Sequence, residues 1–419
     1  MEKERVVLVG IHTPKSTMDL AESMEELYAL AEASGAEIVG QVTQVRDARH
    51  TSTYIGKGKL EEIKTILDYE EGHTVIINDE LSGSQTRNLE AILECKVVDR
   101  TMLILDLFAQ RAQSSEGKLQ VELAQLKYRL PRLVGFYGAL SRTGGGIGTR
   151  GPGEQQLDTD RRHILRHIHQ LEKELDKVII QRETNRKKRE KSQIPVVALV
   201  GYTNAGKSSI MNASLRFGGE SKEVYVEDML FATLDTSFRR ITLNNGQAMI
   251  LTDTVGFVSR LPHDLVAAFR STLEEVRYAD CILHVVDASN GNHQTQSEVT
   301  HEILKSYDIN DKKIITVFNK MDLVDDNYHV NYQNNSNRLY ISAYNEDDID
   351  MLFDVVEDVV MESYRKIVFE IPYDKMSDFN KIAEQYELEN IEHHEATITF
   401  RANVSAQDAK RYQEYVKKA

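Results

Sequence analysis

The residues best placed to do chemistry are Gly201, Tyr202, Thr203, Asn204, Ala205, Gly206, Lys207 and Ser208, which directly follow the apolar run VVALV (196–200). G-x-x-x-x-G-K-S between a strand and a helix is a phosphate-cradling loop. Its glycines let the backbone wrap closely, so successive N–H groups point at an anion lying at the helix N-terminus. Lys207 supplies positive charge for the β- and γ-phosphates, Ser208 a hydroxyl ligand for Mg2+, and Ser209 carries the site into the helix.

Three further motifs follow in the order that such a site requires. AMILTD (248–253) ends in Asp253-Thr254-Val255-Gly256, where the carboxylate can hold a Mg2+-bound water and the Gly256 N–H can reach a γ-phosphate. KIITVF (313–318) ends in Asn319-Lys320-Met321-Asp322. A carboxylate accepts two parallel hydrogen bonds from guanine N1–H and its amino group, a donor pair that adenine lacks. Asp322 is therefore the expected base-selecting residue, with Asn319 buttressing the loop and the Lys320 stem over the ring. RLYISA (338–343) adds Ser342-Ala343, whose backbone N–H can meet guanine O6. Between the first two motifs, Phe231, Ala232 and Thr233 belong to a switch segment, with Thr233 the expected Mg2+-binding switch residue and Thr236 the alternative. GTP and GDP are the expected ligands, with Lys207, Thr233 and Gly256 the catalytic candidates. Phe257 occupies the place where many GTPases carry a water-orienting glutamine. A phenyl ring can neither donate nor accept that hydrogen bond, so intrinsic hydrolysis is expected to be slow.

These motifs need a doubly wound sheet to hold them, and the chain supplies more than that. At 419 residues it exceeds what one core usually serves. Residues 1–110 alternate strand-like runs (6–10, 37–42, 74–78, 96–99) with helix-like stretches, predicting a small parallel α/β domain. Its turn Gly56-Lys57-Gly58-Lys59 lacks a full phosphate-loop signature and reads better as a plain strand-to-helix turn. Residues 111–194 read as two long helices forming an antiparallel hairpin. Leu119, Leu123, Leu126 and Leu130 line the first (115–134), and Ile164, Ile168, Leu171, Leu175 and Val178 the second (154–192). The loop between them, RTGGGIGTRGPG (142–153), has six glycines with Arg142 and Arg150, an ordering cost that stability alone does not explain. Residues 195–365 form the nucleotide domain. Residues 366–419 read strand-helix-strand-helix, a small α+β appendage in which His393-His394 is a solvated pair. The predicted fold is thus an α/β P-loop NTPase domain with an N-terminal parallel α/β domain, a helical hairpin and a small C-terminal α+β domain.

Composition narrows the partners. The proportions of hydrophobic (41%) and charged (28%) residues exclude a disordered chain. Two cysteines, Cys95 and Cys281, are too few for a disulfide framework or zinc cluster. No apolar stretch approaches the ~20 residues needed to cross a bilayer, and MEKERVVLVG is no signal peptide, so a cytoplasmic protein is expected. The net charge is −15, yet residues 111–192 hold 18 Lys and Arg against 10 Asp and Glu. That local balance suits either RNA or a solvated helix face.

Five strings resemble the HflX family of ribosome-associated bacterial-type GTPases: EGKLQVELAQLKYRLPRL (116–133), GGGIGTRGPGE (144–154), GYTNAGKS (201–208), LFATLDT (230–236) and DTVGFVSRLPHDLVAAFRSTLEE (253–275). The first two are not general GTPase features. The resemblance implies a monomeric GTPase that binds the large ribosomal subunit and its rRNA and splits or rescues stalled ribosomes under stress, the glycine-rich loop leading into the subunit. It also implies a K+ ion linked to Asn204, and an ATP-binding, RNA-unwinding role for the N-terminal domain. Gln155 and Ser209-Ile210-Met211-Asn212 depart from the family's familiar residues without removing a phosphate, metal or guanine contact. Three alternatives stand beside a ribosome-acting switch. One is a GTPase partnered with RNA-modification chemistry in residues 1–110, where no nucleophile-base constellation is visible. Another is an RNA-remodelling NTPase with a second, ATP site near Gly56-Lys57-Gly58. The last is a GTP-binding scaffold without turnover.

Overall fold

Near the N-terminus, four runs of aliphatic and β-branched residues form β1 (Arg5–His12), β2 (Glu37–Val45), β3 (Thr74–Ile77) and β4 (Lys96–Asp99). They pair in parallel in the order β2-β1-β3-β4. The structure, a computed structural model, describes residues 3–14, 19–133, 152–192, 194–217, 237–243, 246, 248–254, 256–259, 275–307, 309, 312–324, 337–362, 364–386 and 388–417. The crossovers are α1 (Leu20–Ala33), capped by Asp19, α2 (Lys57–Tyr69), opened by Gly56, and α3 (Gly83–Leu93), opened by a Ser82–Gln85 capping box. α4 (Arg100–Arg111) was not expected from the sequence. Leu103, Ile104, Leu105, Leu107 and Phe108 are all buried, so apolar residues wrap most of this helix and leave no stripe to read. Its first residue, Arg100, is buried at 2% exposure, paired with Glu26 of α1 and donating to Asn78 Oδ1 at 2.8 Å.

α5 (Ser115–Arg129) ends earlier than expected, in a 3-10 turn over Leu130–Arg132, because Pro131 has no N–H to continue the helix. α6 (Pro152–Ser192) spans 41 residues, and the glycine-rich run 142–151 lies outside the described residues. Leu119, Leu123, Leu126 and Leu130 share one core with Ile164, Ile168, Leu171 and Leu175. The ion pairs flanking it are those of the expected antiparallel pairing. Lys127 meets Glu172 at 2.8 Å and Glu122 meets His167 at 3.4 Å. Glu122 and His167 flank the same side of their own apolar stripes, and Lys127 and Glu172 the other side; such equivalent positions meet across an interface only when the two helices run in opposite senses.

A second compact unit begins within α6, after Ile179. Its six-stranded sheet has the order β10-β9-β8-β5-β7-β6. The strands are β5 (Val196–Gly201), β6 (Ser237–Thr242), β7 (Ala248–Asp253), β8 (Cys281–Asp287), β9 (Lys313–Asn319) and β10 (Arg338–Tyr340). All pair in parallel except β6, an antiparallel strand, not expected from the sequence, that follows the expected switch residues. α7 (Lys207–Ala213), α8 (His293–Ser306) and α9 (Glu346–Met361) are helices of this domain. Val197, Leu199, Leu283, Val317, Leu352 and Phe353 lie in its core. Burial pushes the Cys281 thiol up to about 12, as expected for a reduced, inert side chain.

The chain ends in β11 (Tyr364–Pro372), α10 (Met376–Gln385), β12 (Leu388–His393), β13 (Thr397–Ser405) and α11 (Ala406–Arg411). The strands form an antiparallel sheet in the order β11-β13-β12. β12 was not expected, because LENIEH is an exposed edge strand with no buried alternation. His393 stacks on Tyr373 in the open, and among the described residues no three His, Cys, Asp or Glu side chains form a metal-holding group. Among them, too, no helix is long and apolar enough to cross a membrane.

In the nucleotide domain, His284 of β8 is buried with its ring 4.9 Å from that of His301 on α8. Burial, then the neighbouring His301 and Lys207, depress its pKa to about 3. The unfolded chain binds a proton at His284 below pH ~6.5 while the folded chain does not. Stability present above that pH is therefore lost as pH falls, by at most about 1.4 kcal/mol per unit. His284→Leu should flatten this dependence: between pH 7 and 5, denaturant midpoints of the wild type should fall further than those of the variant. Parallel profiles would mean that His284 is protonated in the fold.

Candidate functional site

β5 runs into its loop at Gly201, where a Cβ would lie 2.1 Å from the Val285 carbonyl oxygen of β8. Gly206 has φ +93°, and a Cβ there would lie 2.0 Å from Asn319 Nδ2. No other residue type fits either position, and between them Asn204 takes the left-handed conformation (φ 61°). The loop delivers Lys207 to the start of α7. Its Nζ, in a side chain 5% exposed, donates to Gly201 O at 3.1 Å and Tyr202 O at 2.8 Å. Burial lowers its pKa to about 8 against the opposing pull of Asp253. Ser208 Oγ donates to Asp253 Oδ2 at 2.8 Å, so the two described Mg2+-ligand candidates meet at the ends of α7 and β7. A hydroxyl and a carboxylate are the hard oxygen donors that Mg2+ takes. Thr254 turns away: its Oγ1 donates to Leu199 O at 2.7 Å, leaving only backbone for a nucleotide.

Gly256 packs on the same loop, where a Cβ would sit 2.7 Å from Thr203 Cα and 3.1 Å from Lys207 Nζ. Phe257 is zipped beside it. Its N–H donates to Gly201 O at 3.1 Å, and its carbonyl accepts the Thr203 N–H at 2.7 Å. Its ring is 2% exposed, and Tyr202 OH accepts the Ser259 N–H at 2.5 Å just beyond. The residue in the glutamine's place thus faces the core, and only backbone is presented beside Lys207.

The residues expected to read the base converge through Asn319. Its Nδ2 donates to Ala205 O at 2.9 Å, while its Oδ1 accepts the Ala343 N–H at 3.0 Å. Lys320 is left-handed (φ 66°), and its Nζ pairs with Asp287 Oδ2 at 2.8 Å. Ser342 Oγ donates to Asp322 Oδ1 at 2.6 Å, and the Ser342 N–H donates to Asp348 Oδ2 at 2.7 Å. Of the two N–H groups expected to face guanine O6, the Ser342 N–H is thus committed within the protein, and the Ala343 N–H is shared with Asn319. Ser209 lines a cavity of about 460 Å³ with Asn212, Ala343, Tyr344, Asn345 and Glu346. Phe231, Ala232, Thr233, the alternative Thr236 and Val255 lie outside the described residues.

Two carboxylates were not singled out from the sequence. Asp287 ends the apolar run CILHVV, and a carboxylate at a third strand end beside Asp253 and Asp322 was a signal in plain view. Asp348 looks like ordinary first-turn helix charge, and only the fold turns it towards Ser342.

Three family descriptions match in succession: GTP-binding GTPase N-terminal over residues 21–109, GTP-binding GTPase middle region over 111–189, and 50S ribosome-binding GTPase over 196–320. The chain is 45% identical over 415 residues to the GTPase HflX of Caldanaerobacter subterraneus, covering 99% of this chain and 94% of that one. To the GTPase HflX of Escherichia coli it is 43% identical over 353 residues, covering 84% and 81%. The chain belongs to the HflX family of GTPases. Among solved structures it is similar to a GTP-binding protein from the archaeon Sulfolobus solfataricus in complex with GDP, with TM-score 0.45, 25% identity, and coverage of 85% of this chain and 99% of that one. As a member of the HflX family it is a GTP-hydrolysing enzyme.

Nucleotide binding is expected to depend on pH through Lys207. With its free-state pKa at about 8, and a bound value raised by phosphate charge, binding takes up a proton above pH 8. GTP affinity should be flat from pH 6.5 to 7.5 and then fall, by no more than about tenfold per unit. The range to measure stops at pH 9, below the loss of guanine N1–H. Lys207→Arg keeps the charge and should flatten the profile of a fluorescent GTP analogue's Kd. A flat wild-type profile would show that the lysine stays charged when free.

Proposed function

We propose that this HflX-family GTPase binds the large ribosomal subunit in its GTP form and dissociates or rescues stalled ribosomes, with hydrolysis resetting it. The observation that carries the reading is the buried Phe257. A site with phosphate and base loops in place has no side chain at this position to orient the attacking water, which suits an enzyme completed by a large partner. The family description 50S ribosome-binding GTPase, matched over 196–320, names the partner class. The basic residues within 111–192 suit its RNA.

In this reading Lys207 holds the β- and γ-phosphates, and Ser208, Asp253 and Thr233 would hold Mg2+, whose charge would neutralise the phosphate oxygens. The Gly256 N–H meets the γ-phosphate, and Tyr202, Thr203, Asn204, Ala205, Gly206 and Ser209 complete the cradle. Asp322 reads guanine N1–H and the amino group, the Lys320 stem covers the ring, and the Ala343 N–H is shared between Asn319 and guanine O6. Asn204 is the residue through which K+ would act. The glycine-rich segment 142–153, carrying Arg142 and Arg150, makes the close RNA approach that bulkier residues would block. Such a protein acts in the cytoplasm.

Asp322→Asn should move base preference from guanine to xanthine nucleotides, because the new amide offers a donor to the extra base oxygen. Competition by GDP and XDP decides it, and retained guanine preference removes Asp322 from the base site.

Sedimentation with large subunits should be stronger with a non-hydrolysable GTP analogue than with GDP, and subunits should raise turnover in K+ buffer. Replacing residues 143–152 by a short Gly-Ser linker should leave GDP affinity within twofold yet sharply slow ribosome dissociation followed by light scattering. Nucleotide-independent sedimentation would sink the switch, and wild-type dissociation by the shortened protein would make the glycine segment a bystander.

A further inference from the structure

We infer that Asp348, on the first turn of α9, is a positioning residue for guanine selection, acting through Ser342 on the Asp322 carboxylate. The inference rests on the reading of Asp322 as the base-selecting residue. Asp322 itself is exposed, on a single 3-10 turn between Met321 and Leu323. A carboxylate so placed rotates freely unless something holds it, and bidentate recognition of a flat base requires its plane to be fixed. What holds it is Ser342 Oγ, at 2.6 Å from Oδ1. Each carboxylate oxygen has two acceptor sites, so this bond leaves room for guanine while setting the plane.

Ser342 can aim its hydroxyl because its backbone is clamped on both sides. Its N–H donates to Asp348 Oδ2 at 2.7 Å, and its carbonyl accepts the Asn345 N–H at 2.9 Å. The hydroxyl also accepts the Tyr344 N–H at 3.3 Å, which directs its own proton to Asp322. The competing role for Asp348 is to stabilise the helix end, and other residues already meet that need. Asn345 caps α9 by accepting the Asp347 N–H at 3.0 Å, and Glu346 and Asp347 put negative charge in the first turn. Asp348 instead reaches back past the cap to a residue outside the helix, in the loop that meets the base.

Inosine lacks the 2-amino group, so the ratio of GDP to IDP affinity reads one of the two hydrogen bonds to Asp322. In the full-length chain, Asp348→Ala should weaken GDP about tenfold, the worth of one hydrogen bond to a charged group, and IDP two- to threefold at most. The ratio should therefore collapse while kcat at saturating GTP stays within twofold. Asp348→Asn, whose amide oxygen still accepts the Ser342 N–H, should restore the ratio although it removes the charge. Ser342→Ala should reproduce the loss, and adding Asp348→Ala to it should cost nothing further, the signature of one chain of contacts. If Asp348→Ala does not fold, Asp348→Ser, too short to reach Ser342, takes its place. GDP and IDP weakening together, or Asp348→Asn behaving like Asp348→Ala, would reduce Asp348 to a helix-end residue. The parent reading fails separately. Guanine preference surviving in Asp322→Asn overturns both, whereas a switch to xanthine with an unmoved Asp348→Ala ratio overturns this inference alone.

Discussion

One buried amide joins the two halves of the nucleotide site. Asn319, 1% exposed, donates to Ala205 in the phosphate loop and accepts from Ala343 in the base loop, so two segments more than a hundred residues apart share a side chain. Leaving either buried group unsatisfied costs about 1–3 kcal/mol, so each loop is held in place by the other. The glycine at 206 follows from it, because Asn319 Nδ2 fills the space a Cβ would need. Spacing between phosphate and base contacts is then a property of the sheet. β5 and β9 flank β8 in register, and Asn319 closes the distance between their ends.

The same sheet keeps a charge where water cannot reach it. Lys207 sits among carbonyl oxygens, and burial is the reason its pKa is depressed; the charge that opposes this shift is that of Asp253, itself tied to Ser208. Such an arrangement gains from an incoming polyanion far more than an exposed lysine would, since the field acts in low dielectric. The Lys320–Asp287 pair repeats the device at the base end, holding a residue strained into the left-handed region (φ 66°). A strand-end carboxylate thus pairs directly with the lysine at the base end, while at the phosphate end carbonyl oxygens hold Lys207 and Asp253 acts on it only through its field.

Much of this was legible before any coordinates. Strands carrying G-x-x-x-x-G-K-S, D-x-x-G and N-K-x-D are apolar runs with a motif at each end, so period and motif agree on the sheet and on the phosphate loop. The apolar stripes alone do not give the direction of α5 against α6. Leu119, Leu123, Leu126 and Leu130 are spaced four, three and four, as are Ile164, Ile168, Leu171 and Leu175. That pattern is the same read in either direction, so it fits a parallel or an antiparallel partner equally. Only the charged flanks, Glu122 with His167 and Lys127 with Glu172, break the symmetry, and they select the antiparallel pairing that the hairpin reading expects. α4 and β12 escaped for opposite reasons, one apolar nearly all round and the other exposed along its length. Asp348 escaped because a first-turn acid has a sufficient local explanation, and its partner Ser342 lies outside the helix that explains it.

Phe257 shows how core packing limits what a nucleotide can do to the segment after Asp253. Freeing it would expose a buried phenyl and break two backbone bonds to Gly201 and Thr203. With about 1.5–3 kcal/mol for the ring and about 0.5–1.5 for each bond, the cost is roughly 2.5–6 kcal/mol. A ligand shifts a conformation only by its differential affinity for the two states, and a single γ-phosphate contact would have to supply all of that. Gly256 needs no such opening, because its backbone already lies beside Lys207 with no Cβ between them. In the proposed reading the γ-phosphate would therefore be met most cheaply by backbone on a fixed platform. An aromatic residue in the glutamine's place is then not a defect but the anchor of that platform, which moves the task of placing water elsewhere.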